Sequence, residues 1–286
     1  MPDKRKECAI IVCSCDAYED LWDPFFHILH DEWTDKPKEW RVILNTETKE
    51  YKSPYYDIET LGIERNGKSL SWSNRMIKTL KCLDTEYVLI ILDDYFQEKK
   101  IQQKKIDQVI EWMNSDPRIS VFYFSNIHDM DDYHIQDGKY TGFELNKPGC
   151  PYCICAQTGI WRRKHILRYL NKRENVWQFE ELGSERAGYY NYKIYSAIKD
   201  SDYIFRHQWE KGGAIHGGKW SKYVPDLIKK HDISIDFSKR GFYSPDIDGN
   251  PSIPEYIGKA RMIFRPPLFR RILKRGRKKG SEINYT

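Results

Sequence analysis

The 286-residue sequence has no apolar run close to the roughly twenty residues that a membrane-spanning helix needs. Its first twenty residues hold only a short apolar stretch that runs into acidic residues, which is not the pattern of a secretory signal peptide. We therefore expect a protein that stays in the cytoplasm.

Cysteine is limited to seven residues, and the two CxxC pairs typical of a structural zinc site are lacking. In a long chain expected in the cytoplasm, these cysteines are expected to be reduced thiols rather than a disulfide framework. Cys150, Cys153 and Cys155 lie close together in GCPYCIC, but the sequence offers no obvious fourth metal ligand. Buried structural cysteines are favoured over a zinc site at this cluster.

Excess positive charge is lacking from most of the chain. Residues 264–280 hold eight Lys or Arg and no acid, and the remainder has 39 basic against 42 acidic residues, a net charge of −3. Within this tail five apolar residues recur at about helical spacing: Phe264, Leu268, Phe269, Ile272 and Leu273. Residues 263–286 are therefore predicted to be a basic amphipathic tail that binds the inner face of the cell membrane, with a solvated tail or a nucleic-acid contact as alternatives.

Uninterrupted apolar runs predict strands that are buried on both faces of a sheet. Such runs occur in Tyr87–Leu92 and in residues 9–14 and 40–45, and amphipathic helices over 21–33 and 71–83 separate them. This alternation predicts an α/β, Rossmann-like fold with a mostly parallel central sheet flanked by helices. We expect one domain over 1–262, with a nucleotide-binding half over 8–125 and an acceptor half over 126–262.

The second half of the chain gives weaker signals. A helix over 101–114 and a strand over 119–125 come first, and the polar segment 126–146 is then predicted to be a solvated loop. Further predictions are helices over 162–170, 176–189 and 224–231, a brief strand over 203–205 and a glycine-rich turn over 211–220.

Asp93 and Asp94 directly follow the predicted central strand. Ligands of open α/β sheets bind beyond the carboxyl ends of the strands, where the chain leaves the core. Two carboxylates there suit a divalent cation such as Mg2+ or Mn2+, which prefers oxygen ligands. The alternative is that the pair merely begins a turn.

Two further groups of residues need explanation together with this pair. Glu180 and Glu181 follow an aromatic segment that begins at Trp177, and His216 and Lys219 lie in IHGGKW. With LDDYF, this set resembles the metal-dependent glycosyltransferases of the GT-A fold over about residues 8 to 220. The resemblance implies that Asp94 is the first metal ligand, that Asp93 contacts the metal, the ribose or the donor sugar, and that His216 reaches the metal.

The same resemblance implies a nucleotide site around the ends of the first two strands and the start of the next helix. The residues that it assigns to the nucleotide-sugar are Ser14, Cys15, Asp16, Asn45, Trp72, Ser73, Arg75, Asp93 and Lys219. Turn, cap and ion-pair roles are the structural alternatives for several of them.

The resemblance also implies a reaction: transfer of a sugar from a nucleotide-diphosphate donor, by default UDP, to a hydroxyl of a lipid-linked glycan in surface-polysaccharide synthesis. A carboxylate, Glu180 or Glu181, is expected to act as general base in an inverting mechanism. Adjacent helical residues point about 100 degrees apart, so one of the two is expected to face the cleft, and a solvated helix face is the alternative.

Two other classes of protein remain open at this stage. A nucleotidyltransferase also uses two carboxylates and Mg2+, but it would more naturally have a glycine-rich phosphate loop near the first strand, where this chain has CSCDAY. A non-catalytic nucleic-acid-binding protein could use the basic tail, but the rest of the chain lacks the broad basic character expected of it. We therefore expect no nucleic-acid partner.

Overall fold

A nine-stranded sheet forms the centre of the fold in the computed structural model, which describes residues 7–127, 133–208 and 212–245. Across the sheet the strands lie in the order β3-β2-β1-β4-β8-β5-β9-β7-β6. In chain order they are β1 (Cys8–Cys13), β2 (Val42–Asn45), β3 (Ile58–Glu59), β4 (Tyr87–Leu92), β5 (Ile119–Tyr123), β6 (His134–Tyr140), β7 (Phe143–Asn146), β8 (Gly159–Arg162) and β9 (Lys193–Ala197).

Most strands of this sheet point in the same direction. β1 pairs in parallel with both β2 and β4, so that Ile10 lies opposite Val42 on one side and Leu89 on the other. β8 is antiparallel to its neighbours β4 and β5, and β7 is antiparallel to β9 and β6. Seven of the nine strands therefore share one direction, and β7 and β8 oppose them.

Six α-helices accompany the sheet in the described residues. Their bounds are α1 (Trp22–Glu32), α2 (Trp72–Lys81), α3 (Gln103–Ser115), α4 (Arg163–Tyr169), α5 (Val176–Ala187) and α6 (Val224–Lys229). Alternate residues of a strand point to opposite faces, and β1 divides accordingly. Ile10 and Val12 join a core with α1, α3 and α6, whereas Ile11 and Cys13 join a core with α2, α4 and α5.

The prediction of a Rossmann-like α/β fold is confirmed by this arrangement. β1 and β4 are buried on both faces because each sheet face is covered by helices, which explains their uninterrupted apolar sequence. The helix between β3 and β4 also follows the sequence closely. Its N-cap is Ser71, whose Oγ accepts a 3.1 Å hydrogen bond from the Asn74 N–H, and its Met76 and Leu80 are fully buried.

Residues 126–146 were expected to be a solvated loop, and this prediction was wrong over most of the segment. β6 and β7 form an edge hairpin there, with Tyr140 and Phe143 buried against the sheet. Most of β6 is exposed because it is the outermost strand, so its polar sequence resembles that of a loop. Residues 128–132 are outside the described part of the chain.

The strand expected over 203–205 was also wrong. Those residues follow a short 3-10 helix, and Ile204 and Phe205 are buried in a turn rather than paired in the sheet. The strand of this region is β9, which lies earlier in the chain and pairs with β5 and β7.

The predicted glycine-rich turn contains a small two-stranded sheet, formed by β10 (Ile215–His216) and β11 (Lys219–Trp220). No helix within the described ranges is both long and apolar enough to cross a membrane. The predicted domain boundaries stay predictions, and the basic tail over 263–286 lies outside the described residues.

Candidate active site

Asp93 and Asp94 lie at the carboxyl end of β4, beside the end of β1. The Asp93 N–H donates a 3.2 Å hydrogen bond to the carbonyl of Cys13, the last residue of β1. Ser14, the next residue, donates a hydrogen bond from Oγ to the Asp93 carboxylate and accepts one of 2.7 Å from the Trp22 indole N–H. Asp93 is therefore held in a fixed orientation by β1 and α1.

Both carboxyl groups lie where burial disfavours their charged form. Burial and the neighbouring charge of Asp94 raise the pKa of Asp93, although the Ser14 hydroxyl and the charge of Arg240 oppose this shift. Burial also raises the pKa of Asp94. Among the described residues, no lysine or arginine forms an ion pair with either carboxylate. A cation from solution would relieve the repulsion between them.

Whether these residues fit a divalent ion can be judged from the donors present. No group of three or more His, Cys, Asp or Glu side chains in the described ranges is arranged to hold a metal by itself. Mg2+, however, is commonly bound by one or two carboxylates together with waters and substrate phosphates. The pair therefore fits an ion whose coordination is completed by a phosphorylated ligand rather than a closed protein site.

Two glycines bring the later chain against Asp94. A Cβ at Gly213 would lie 2.9 Å from Asp94 Oδ2, and its φ of +76° is a conformation that other residues rarely adopt. The neighbouring Ala214 N–H donates a 2.7 Å hydrogen bond to the Asp94 carbonyl. Gly212 in turn lies against the His216 ring. The predicted ligands Asp94 and His216 thus border the same pair of glycines.

His216 and Lys219 are paired across the hairpin of β10 and β11. Gly217 and Gly218 form its two-residue turn with φ values of +56° and +81°, as a type I′ turn requires. The His216 ring lies 4.0 Å from the Tyr243 ring, measured between centroids. Their predicted contacts with metal and diphosphate stay predictions.

Arg240, whose charge acts on Asp93, is not among the residues selected from the sequence. Its guanidinium donates hydrogen bonds of 2.6 and 2.7 Å to the Asp20 carboxylate and one of 2.7 Å to the Ala17 carbonyl. It also lies 4.6 Å from the centre of the Tyr18 ring. These contacts fasten the last described segment to the chain that follows β1, and no sequence pattern relates positions more than 200 residues apart.

The predicted nucleotide residues after β1 have clear structural partners. The Asp16 carboxylate accepts backbone hydrogen bonds of 3.1 to 3.2 Å from Glu47, Thr48 and Lys49, which ties together the loops after β1 and β2. Cys15 lies close enough to the carboxylates that burial, Glu47 and Asp93 all raise its pKa. Ser14 and Cys15 thus border the carboxylates, whereas Asp16 organises the loop.

The remaining predicted nucleotide residues lie around α2. Asn45 is buried, where its Oδ1 accepts a 3.1 Å hydrogen bond from the Thr79 hydroxyl. Arg75 is buried as well, and its Nη1 lies 2.6 Å from Glu47 and 2.9 Å from Glu64. These contacts join α2 to the loop after β2.

Trp72 and Ser73 occupy the start of the same helix. The Trp72 ring packs against Phe179 of α5 at 5.2 Å between centroids, and Ser73 is completely buried. Contacts of Asn45, Trp72, Ser73 and Arg75 with a nucleotide stay predictions.

Glu180 lies on α5 and is largely buried. Its Oε1 accepts a 2.9 Å hydrogen bond from the Ala156 N–H, and burial raises its pKa to about 7. Burial raises the pKa of Tyr95 as well, and the charges of Asp94, Cys155 and Glu180 raise it further. The charges of both Asp94 and Glu180 thus act on the Tyr95 hydroxyl, so Glu180 lies in the neighbourhood of the carboxylate pair.

The neighbouring residues of α5 are also accessible to solvent. Glu181, like Glu180, is partly exposed, and the Trp177 side chain is 66% exposed. Trp177 precedes Glu180 by three positions, and residues with this spacing are neighbours on a helix surface. Of the two predicted bases, Glu180 has the environment that a general base near neutral pH needs.

A cavity of about 790 Å3 lies elsewhere in the molecule. Trp40, Arg41 and Val42 line it at the start of β2, beside Tyr55 and Tyr56. The carboxylate site lies at the opposite ends of the strands. The cavity is therefore separate from the candidate active site.

These features define a Rossmann-like α/β protein with a pair of adjacent carboxylates, one buried and one partly buried, at the carboxyl edge of its sheet. No protein-family model matches the sequence, and no curated protein matches it. Solved structures to which this chain is similar include S. aureus TarS residues 1–349. The match has a TM-score of 0.41 and 12% identity, and it covers 70% of this chain and 59% of that one.

A second structure of S. aureus TarS matches at a TM-score of 0.40 and 12% identity, covering 68% of this chain and 35% of that one. The bifunctional IspDF from Campylobacter jejuni matches at 0.36 and 13%, covering 71% of this chain and 52% of that one. This chain thus spans less than two thirds of each of these structures.

Proposed function

We propose that this protein is a glycosyltransferase that uses a nucleotide-sugar donor and a divalent cation. The observation that carries the proposal is the pair of the buried Asp93 and the partly buried Asp94 at the end of β4, with the partly buried carboxyl group of Glu180 nearby. The first group suits a diphosphate bound through a cation, and the second suits a base that accepts a proton near neutral pH.

The donor half of the reaction requires charge neutralisation. When the glycosidic bond to the nucleotide breaks, negative charge develops on the leaving diphosphate, and preorganised positive charge lowers the barrier. A divalent ion held by Asp94, with Asp93 beside it, would supply that charge when bound. Ser14 orients Asp93 for this role through its hydrogen bond. Gly213 lets the backbone pack directly against Asp94, where a Cβ would lie only 2.9 Å from Oδ2.

The acceptor half of the reaction requires removal of a proton. Glu180 would accept the proton of the attacking hydroxyl, and direct attack on the donor sugar inverts the configuration at its anomeric carbon. A carboxyl with a pKa of about 7 is basic enough to take this proton and is still substantially ionised at neutral pH. The Ala156 N–H holds one oxygen of Glu180, which leaves the other oxygen for the substrate.

The nature of the acceptor is proposed from the surface of α5 and from the tail. An exposed Trp177 beside Glu180 offers a flat apolar face on which a sugar ring can stack. The basic tail would hold the protein at an anionic membrane, where a lipid-linked glycan presents its hydroxyl. We therefore propose a growing lipid-linked surface glycan as acceptor and a UDP-sugar as donor.

The direct test is calorimetric titration of UDP, GDP and CMP into the purified protein, with Mn2+ or with a chelator. We expect one nucleotide to bind only in the presence of metal, and Asp94→Asn to weaken this binding by at least about tenfold, because it removes a charged ligand. Asp57→Asn is the matched control, since Asp57 is exposed and precedes β3, at the other edge of the sheet.

The substrates and products also distinguish a glycosyltransferase from a nucleotidyltransferase. A nucleotidyltransferase would bind a nucleoside triphosphate and release pyrophosphate in the presence of a second substrate, whereas a glycosyltransferase would slowly hydrolyse a nucleotide-sugar without an acceptor. Equal binding of nucleotide by the wild type and Asp94→Asn would overturn the assignment of the carboxylate pair.

A further inference from the structure

Cys150 and Cys153 occupy a tight turn that the proposed reaction does not use. The Cys153 N–H donates a 3.2 Å hydrogen bond to the Cys150 carbonyl, which closes the turn. Gly149 and Tyr152 have positive φ values of 75° and 56°. This turn brings the two side chains close enough together that each thiol shifts the pKa of the other. Both residues are buried, and Tyr152 between them is 53% exposed.

The two thiols of this turn differ in their readiness to ionise. The hydrogen bond from Cys150 lowers the pKa of Cys153, with help from the Gly149 N–H, and the same hydrogen bond raises the pKa of Cys150. Cys153 is therefore the better nucleophile, and Cys150 is the thiol positioned to react with it. By contrast, burial raises the pKa of the neighbouring Cys155, which stays a thiol.

The turn is attached to α5 at several points. Cys153 Sγ donates a 3.9 Å hydrogen bond to the Ser184 carbonyl, and the Ile154 N–H donates one of 3.0 Å to Ser184 Oγ. Two residues later, the Ala156 N–H holds the Glu180 carboxylate. Gly149 also packs so closely on Gly188 that a Cβ there would lie 3.1 Å from the Gly188 Cα.

We propose that Cys150 and Cys153 are a reversible redox pair, which peroxides oxidise to a disulfide, and that α5 is the element that responds. A structural zinc site is not favoured here, because no group of metal-ligating side chains is found in the described ranges. Two cysteines three residues apart in a closed turn are also within the separation that a disulfide requires.

The oxidation balances with peroxide as the sole oxidant. The Cys153 thiolate attacks one peroxide oxygen, which breaks the O–O bond and gives a sulfenic acid and hydroxide. The Cys150 sulfur then attacks the Cys153 sulfur and releases the sulfenic oxygen as water. The two cysteines lose two electrons and two protons in total, and one peroxide becomes two waters. Hydrogen peroxide is small enough to reach a turn whose cysteines are mostly covered.

Oxidation would change the contacts between the turn and α5. The sulfurs must approach from hydrogen-bond separation to about 2.05 Å, and Cys153 then has no S–H to donate to Ser184. The segment from Cys153 to Ala156 would shift with it. In consequence the hydrogen bond to Glu180 would be weakened, so that oxidation lowers catalysis, and this last step rests on the proposed function.

The test compares reduced and peroxide-treated full-length protein by peptide mass mapping after alkylation under denaturing conditions. We expect a peptide pair, or a single peptide lighter by two hydrogens, that joins Cys150 to Cys153 and disappears with dithiothreitol. Cys155→Ser is the matched control and keeps the disulfide, whereas Cys150→Ser and Cys153→Ser abolish it. Exposed Cys82 reports that the peroxide dose was effective.

Hydrogen exchange of the two forms tests the response of α5. We expect amides of Val176–Ala187 to exchange at least about threefold faster after oxidation, with α3 unchanged as the internal control. Both cysteines remaining alkylatable at a dose that oxidises Cys82 would overturn the redox pair. A disulfide without any change in α5 exchange would overturn the coupling. Neither readout depends on glycosyl transfer, so failure of the proposed function is recorded separately.

Discussion

At the scale of single residues, Glu180 illustrates how burial raises the pKa of a carboxyl group. A glutamate on a solvated helix face would titrate near its ordinary pKa, but the Glu180 carboxylate is partly withdrawn from solvent and accepts a hydrogen bond from the Ala156 N–H. One hydrogen bond offsets only part of the desolvation of the charged form, so the pKa rises to about 7.

The Glu180→Gln variant should lose catalysis and keep binding. Glutamine retains an oxygen that can accept the Ala156 N–H but cannot take a proton, so kcat is expected to fall at least about 100-fold. Calorimetric nucleotide binding should stay within about twofold of the wild type, because the carboxylate pair is intact. Glu181→Gln is the paired control, and an equal loss in that variant would assign the base to Glu181 instead.

The wild-type pH profile follows from the same carboxyl group. The base must be ionised to act, so kcat/KM should rise with pH and level off above about 7. For stability the sign is opposite: a raised folded pKa favours the neutral form, so this contribution is present below the ordinary glutamate pKa of 4.5 and is lost as pH rises through about 7. A rate profile that is flat between pH 6 and 8, about one unit on either side, would exclude Glu180 as the base.

At the scale of secondary-structure elements, Asp116 joins three of them. It ends α3 and accepts a 3.0 Å hydrogen bond from the Arg118 N–H just before β5, and its Oδ2 lies 2.9 Å from the Lys193 ammonium of β9. Burial opposes ionisation of Asp116, but the hydrogen bonds from Lys193 and Arg118 outweigh it and lower its pKa.

The Asp116→Asn variant should be less stable in a pH-dependent way. We expect a loss of about 1 to 3 kcal/mol in the free energy of unfolding at pH 7, because charged hydrogen bonds are removed. A lowered folded pKa contributes stability above the unfolded value near 3.8, and this is lost as pH falls below it. Urea titrations at pH 7 and at about pH 3 measure the two differences. A larger difference at the acid pH would contradict this account.

A helix or strand can be predicted from the sequence when its pattern of apolar and polar residues lies within a short stretch of chain. β1, β4 and α2 were predicted correctly, because a doubly buried strand and an amphipathic helix each have a pattern within ten residues. β6 was missed since an edge strand contacts the core through few residues, and β9 was missed because its sequence KIYSA mixes polar and apolar residues. Pairing across the sheet, not local pattern, makes both of them strands.

The same distinction applies to the site. Asp93 and Asp94 are selected from the sequence because they interrupt an apolar run at the end of a strand, and Glu180 because it follows aromatic residues; their roles stay predictions. Asp16 and Arg75 were predicted to bind nucleotide, yet their observed partners are backbone and carboxylate groups of other segments. Such partners come from distant parts of the sequence and leave no local pattern, as is also the case for Arg240.

At the scale of the whole molecule, the distribution of charge predicts where the protein binds. The basic tail over 263–286 lies outside the described residues, and its role rests on the sequence alone. Deletion of residues 264–286 should reduce binding to vesicles that contain anionic lipid by at least about tenfold, since each basic residue contributes about 1 kcal/mol near the lipid surface. Sedimentation with anionic and with neutral vesicles is the measurement. Equal binding by the full-length and truncated chains would show that the tail is not the anchor.

The attachment of Arg240 to the chain after β1 has a consequence for biosynthesis. The ribosome releases the chain from its N-terminus, and β1 and β4 can pair long before residue 240 has been made. The hydrogen bonds to Asp20 and Ala17 cannot form until Arg240 has been synthesised, and Arg240 lies 220 residues after Asp20. A nascent chain can therefore pair β1 with β4 before Gly212 and Gly213 have been made, so the carboxylate pair acquires its neighbours from the later chain only after the strands that carry it.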